Sequence, residues 1–186
     1  MIGRRRKRPS AARGLAAGLI GGVVASWVME CFQDGLAKLS HKEQKGPEAS
    51  QEQRPRAANA GAAEASEPAT VKLAVAVAED VFQRPLAPAT KPAAGAAVHY
   101  AFGTLVGGAY GLAAERLPLA RRGAGSLFGS GLWLASDEIA VPAFGLAGPP
   151  QAYPFKVHAS ALAAHVVYGA TLEVVRRALW GGFLAS

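Results

Sequence analysis

Four stretches of this chain are apolar and almost free of charge: residues 14–32, 92–114, 125–146 and 158–175. At a rise of about 1.5 Å per residue each approaches or exceeds the span of a hydrocarbon core about 30 Å thick, and each is read as a transmembrane helix. Between the first and second runs the pattern changes twice. Residues 33–69 are rich in Ala, Glu, Gln, Pro and Ser without apolar periodicity, which predicts an external loop that is largely disordered. From 70 to 84, Val71, Ala74, Val75, Ala78, Val81 and Phe82 recur at helical spacing while Lys72, Glu79 and Gln83 take the other face. That segment predicts a short amphipathic helix on the membrane surface or against the bundle, ended by Pro85 and Pro88. The expected fold class is all-α: an integral membrane four-helix bundle with one surface helix and a disordered loop.

Charge fixes the orientation of that bundle. Arg4, Arg5, Arg6, Lys7, Arg8 and Arg13 crowd the N-terminal segment 1–13, which supplies much of the net charge of +7. Directly before an apolar run, such a cluster reads as a cytoplasmic topogenic signal that meets anionic lipid, and not as a nucleic-acid patch. A cleaved signal peptide would need a small-x-small site after its core, and Trp27, Met29, Glu30 and Phe32 stand there instead. Arg116, Arg121 and Arg122 follow span two, Arg176 and Arg177 follow span four, and only Lys156 lies between spans three and four. Every basic connection therefore falls on the side of the N-terminus, which predicts a multi-pass protein with both termini cytoplasmic.

Glycines recur at intervals of four: Gly14, Gly18 and Gly22 in span one, Gly103, Gly107 and Gly111 in span two, Gly125 and Gly129 in span three. Such stripes let helix backbones approach closely, within one chain or between copies, so a homo-oligomer or a membrane-protein partner stays open alongside the bilayer itself. They are not a nucleotide fingerprint, since no third glycine, preceding strand or P-loop lysine accompanies them. Spans two and four also echo one another, Tyr110-Gly111-…-Glu115 against Tyr168-Gly169-…-Glu173, each after a histidine, His99 or His158. Spans one and three share a glycine pair before a tryptophan and an acid, so the chain reads as two like hairpins in parallel.

Candidate chemistry lies inside the apolar runs. Counting from the outer helix ends places His99, Asp137, Glu138 and His165 in one layer, with Glu30 and His158 flanking it nearer the outer boundary. Ionisable groups at such depth face a bundle interior or a watery cavity. Three readings remain: a structural layer whose members satisfy one another, a transport or proton pathway, and a divalent-metal site built from His99, His165, Asp137 and Glu138. Pro142 cannot donate to the Glu138 carbonyl four residues back, which frees that oxygen. Glu115 and Glu173, beside arginines at the inner ends, read as snorkelling or paired boundary residues. No HExxH, nucleophile elbow or reactive-cysteine setting occurs, no cofactor is expected, and the single Cys31 excludes an intrachain disulfide. Haem would need buried histidine pairs that the sequence does not display.

The order of these motifs resembles the YagU-like family of bacterial inner-membrane proteins. The likeness rests on the glycine-rich first helix ending Trp27-Val28-Met29-Glu30, on His99-Tyr100 to Tyr110-Gly111, on Trp133 to Asp137-Glu138 to Pro142, and on His165, Tyr168-Gly169, Glu173 and Arg176-Arg177. It covers about residues 14–32 and 70–177. It departs after Glu30, where Cys31-Phe32-Gln33-Asp34 replaces a proline-proline-arginine turn. The resemblance implies a small inner-membrane protein and carries no established biochemical activity.

Overall fold

The computed structural model describes residues 10–44 and 67–182. Helix α1 is Ala11–Gln44, α2 is Ala69–Asp80, α3 is Lys91–Arg116, and α5 is Phe155–Gly182. Helix α4 is composite: an α-helical start, Ser126–Trp133, a π-helical stretch, Leu134–Ala140, and a last turn, Val141–Ala143. No strand occurs among the described residues. The all-α expectation agrees with this architecture, and the amphipathic segment forms a helix close to where its periodicity places it.

Two boundaries differ from the sequence reading. Helix α1 runs on to Gln44, so residues 33–44, expected as loop, are helical. Leu36 and Leu39 are spaced as a helix allows, and neither Pro nor a second glycine interrupts Gly35 to Gln44. The remainder of the expected disordered loop, 45–66, lies outside the described residues, as does most of the basic N-terminus. Helix α2 stops at Asp80 before either proline. Gln83 takes a left-handed φ of 55°, and the Arg84 N–H closes onto the Ala78 carbonyl at 3.0 Å.

Helix α1 is the centre of the bundle. One of its faces meets α3 and another meets α5, while α4 packs on α5 and α2 lies across α3. Glycine decides how near the backbones come. A Cβ on Gly14 would stand 2.6 Å from the Gly111 carbonyl oxygen, and one on Gly22 would stand 2.5 Å from that of Gly103. The reverse holds too, since a Cβ on Gly107 would sit 2.5 Å from the Gly18 oxygen. On the other side Gly125 abuts the Gly169 carbonyl and Gly129 the His165 carbonyl. Backbones this close also permit Cα–H···O contacts between helices.

These crossings set the true register of the internal echo. Tyr110, Gly111 and Glu115 fall on Tyr168, Gly169 and Glu173, and the same spacing carries Tyr100, not His99, onto His158. They also bring the start of α1, the end of α3, the start of α4 and the end of α5 together at one end of the bundle. The core between the hairpins holds Ala25, Met29, Tyr110, Ala114, Ala164, Tyr168 and Leu172.

Large apolar side chains stand on the exterior of the bundle, and a few charged groups lie inside beside the apolar core. Leu105 is 69% exposed and Phe144 78%, with Ile20, Trp27, Phe102, Leu127, Leu134 and Ile139 also on the exterior, while Glu173 is 1% exposed and Arg176 7%. Among the described residues one helix, Ala11–Leu39, is long and apolar enough to cross a membrane by length and composition. The other long helices owe much of their apolar character to Ala and Gly, which contribute less hydropathy than Leu or Ile.

Candidate functional site

Three of the four residues expected in the polar layer meet around one cavity. It is a partly open cavity of about 440 Å³ between the hairpins, lined in part by Ala69, Thr70 and Leu73 of α2. His99 comes from α3, Asp137 from the π-helical stretch of α4, and His165 from α5; Ser26 of α1 and Tyr168 of α5 join them. The rest of the wall is mostly apolar, including Met29, Phe102 and Phe144.

The members of this group do not satisfy one another. The one hydrogen of the Ser136 hydroxyl is shared between the Leu132 carbonyl at 2.8 Å and Asp137 Oδ1 at 2.9 Å, while Asp137 Oδ2 lies 3.7 Å from His165 Nδ1. That nitrogen contacts the Ala161 carbonyl at 3.0 Å, an acceptor, so the ring hydrogen on Nδ1 points there. His99 Nε2 and Ser26 Oγ are buried and have no hydrogen-bond partner among the described residues. Tyr168 spends its hydroxyl on the Gly103 carbonyl at 2.5 Å, tying α5 to α3.

Glu138 does not belong to the cavity. Successive residues on a helix lie about 100° apart, so Asp137 and Glu138 address different sides. Glu138 turns to His158, placing Oε1 2.5 Å from Nδ1, in a second chamber of about 330 Å³ that Asp137 also reaches. His158 Nε2 faces the Pro150 carbonyl at 3.0 Å. A carbonyl can only accept, so Nε2 carries a hydrogen, and the contact to Glu138 then requires a proton between carboxylate and ring. The first hairpin has a counterpart, in which the Tyr100 hydroxyl donates to Glu30 Oε2 at 2.6 Å. The single layer drawn from helix counting is thus two sites, because counting gives depth and not azimuth.

The local cause is Pro142. With no N–H to offer, it leaves the ladder open, and the Val141 N–H reaches Ser136 O, five residues back, in place of the α-helical fourth. The wide turn that results holds Asp137 and Glu138 where the chambers adjoin.

At the opposite end lies a buried charge cluster. Glu173 accepts from Arg176 Nε at 2.7 Å and Nη2 at 2.9 Å, from Arg177 Nε at 2.7 Å, and from the Tyr110 hydroxyl at 2.7 Å. Arg176 Nη1 also lies 3.5 Å from Glu115 Oε1. The hydrogen bonds to Glu173 raise the proton affinity of Arg176 above its ordinary value against the opposing effect of burial. The pairing of Glu173 with its arginines follows from spacings of three and four; the bond from Tyr110 is non-local, and no sequence signal pointed to it.

Metal ligation gains no support from this geometry: among the described residues no three His, Cys, Asp or Glu side chains converge as a metal ion would need. His99, His165, Asp137 and Glu138, the ligand candidates of the sequence, are divided between the chambers.

A family described as a protein of unknown function, DUF1440, matches residues 61–174, more than half of the chain. The chain belongs to the DUF1440 family. The match takes in α2, α3, α4 and most of α5, and with them His99, Asp137, Glu138, His158 and His165. No curated protein and no solved structure matches, so the YagU-like resemblance rests on the motifs alone.

Proposed function

We propose that this DUF1440 chain is a small multispanning protein of the bacterial inner membrane, with four spans, both termini cytoplasmic and an accessory, non-enzymatic role. The observation that carries this reading is the apolar exterior: large apolar side chains face outward, while Glu173, Arg176, His165 and Ser26 are buried. Exposed apolar area of this kind calls for lipid, and buried ionisable groups at membrane depth face a bundle interior. The clustering of Arg13, Arg116 to Arg122, Arg176 and Arg177 at one end of the bundle agrees with the positive-inside rule. The packing role falls to the glycine crossings and the Glu173 cluster, and the outer-half cavity is left for something else.

A second reading, a small transporter or proton-linked channel, is favoured by His99 Nε2 and Ser26 Oγ, which stand buried and unpartnered at a cavity that Asp137 lines. One set of single cysteines in a Cys31→Ser background examines both. A membrane-impermeant thiol reagent applied to spheroplasts should label Ala60→Cys and spare Leu119→Cys; the reverse pattern sinks the topology. Labelling of His165→Cys by a small polar reagent marks a hydrated path, and protection of it favours the accessory role.

A further inference from the structure

We propose that the outer-half cavity is a binding site for a small organic cation, a protonated amine on an apolar body. The inference rests on the cavity and not on whether its occupant crosses the membrane. Asp137 is the only carboxylate lining this cavity among the described residues, and no Lys or Arg lines it. The His165 ring offers its Nδ1 hydrogen to Ala161, so its contact with Asp137 Oδ2, at 3.7 Å, is not a hydrogen bond. Lys72 lines the adjoining chamber with Glu138, and no ion pair joins it to Asp137.

The other polar groups are the complement an ammonium needs. An –NH3⁺ head has three donors and no acceptor. Beside its carboxylate the cavity is lined by Ser26 and His99, whose Oγ and Nε2 lie behind its surface, without partners among the described residues and within reach after a small side-chain shift. Buried polar groups are ordinarily hydrogen-bonded, so two unpartnered atoms on one cavity point to a ligand that bonds them. Phe102 and Phe144, both exposed on the exterior, edge the mouth of the cavity and offer apolar surface to the body of such a ligand. An anion would meet the Asp137 charge with no cation to answer it. At about 440 Å³ the space lies within the range of about 300–1,000 Å³ typical of small-molecule pockets.

The test uses the full-length protein in lipid nanodiscs, with 2-phenylethylammonium as probe and 2-phenylethanol as its neutral counterpart of the same shape. Calorimetric titration, corrected with empty nanodiscs for partition into lipid, should give saturable binding of the amine at least tenfold tighter than the alcohol. Asp137→Asn keeps the side-chain shape and should abolish that preference. Ser26→Ala should weaken the amine severalfold and leave a quaternary trimethylammonium probe unchanged, because that head donates no hydrogen bond. Equal affinity for amine and alcohol, absence of saturable amine binding, or an unchanged preference in Asp137→Asn overturns the proposal. The first two outcomes require no variant, so a folding defect cannot shield it. None of them bears on the membrane reading, which the thiol-labelling pattern decides.

Discussion

Glu173 is almost fully buried yet carries a formal charge, and its survival there depends on four donors aimed at two oxygens. Removing one partner of a buried ion pair commonly destabilises by about 3–5 kcal/mol, because the survivor is left uncompensated. Glu173→Gln should therefore lower the melting temperature of the purified protein sharply. Tyr110→Phe, which deletes one hydroxyl and keeps the ring, should cost about 1.5–3 kcal/mol, the range for a hydrogen bond to a charged group. The double variant should lose less than the sum of the two, since both changes act on one network. Additive losses would mean that the Tyr110 bond and the arginine bonds are independent. Residue spacing foretold the arginine partners; no spacing within one helix could have foretold Tyr110.

At the scale of the helix, the fold was legible where period and composition agree. Glycines every fourth residue in α1 and α3 announced smooth faces, and the structure sets those faces against each other. What stayed hidden was azimuth, which depends on how each helix rotates to seat its glycines. Gly95 illustrates the point: near the start of α3 it would pass for an inconsequential position, yet it is buried, and a Cβ there would stand 2.5 Å from Val71 Cγ2 of α2. Gly107 faces backbone on its neighbour and cannot be accommodated by a rotamer change, whereas nothing lies within 4 Å of a Cβ on Gly131. Gly107→Leu should then destabilise by at least the roughly 1–3 kcal/mol typical of overpacking. Gly131→Leu should be neutral or stabilising by up to about 1 kcal/mol through helix propensity. Comparable melting of the two variants would place α3 elsewhere.

For the molecule as a whole, the question is whether two hairpins make one body. Helix α1 belongs to the first hairpin but packs along α5 of the second, and the Tyr110–Glu173 and Tyr168–Gly103 bonds also cross between them. The short connection Pro118–Gly125, exposed over most of its length, is a convenient place to cut. A chain carrying a protease site there should, after cleavage in mild detergent, run as one complex on size exclusion. Separation into halves would show that the hairpins rely on their covalent link. The parallel-repeat pattern of the sequence suggested two units; their mutual burial was beyond it, because the residues that join them are a Gly carbonyl and a carboxylate far apart in the chain.

The unwound turn ahead of Pro142 has one more consequence. Asp137 and Glu138 are joined by a single peptide unit, yet one serves the cavity and the other shares a proton with His158. A rotation of that unit would move both carboxylates at once, so the cavity wall and the contact with His158 are joined through one bond. Coupling of this kind is reciprocal: whatever a change at Asp137 does to the Glu138–His158 contact, a change at that contact does to Asp137. The two chambers are therefore not independent compartments but the two arms of one lever, with its fulcrum at the bond between neighbouring acids.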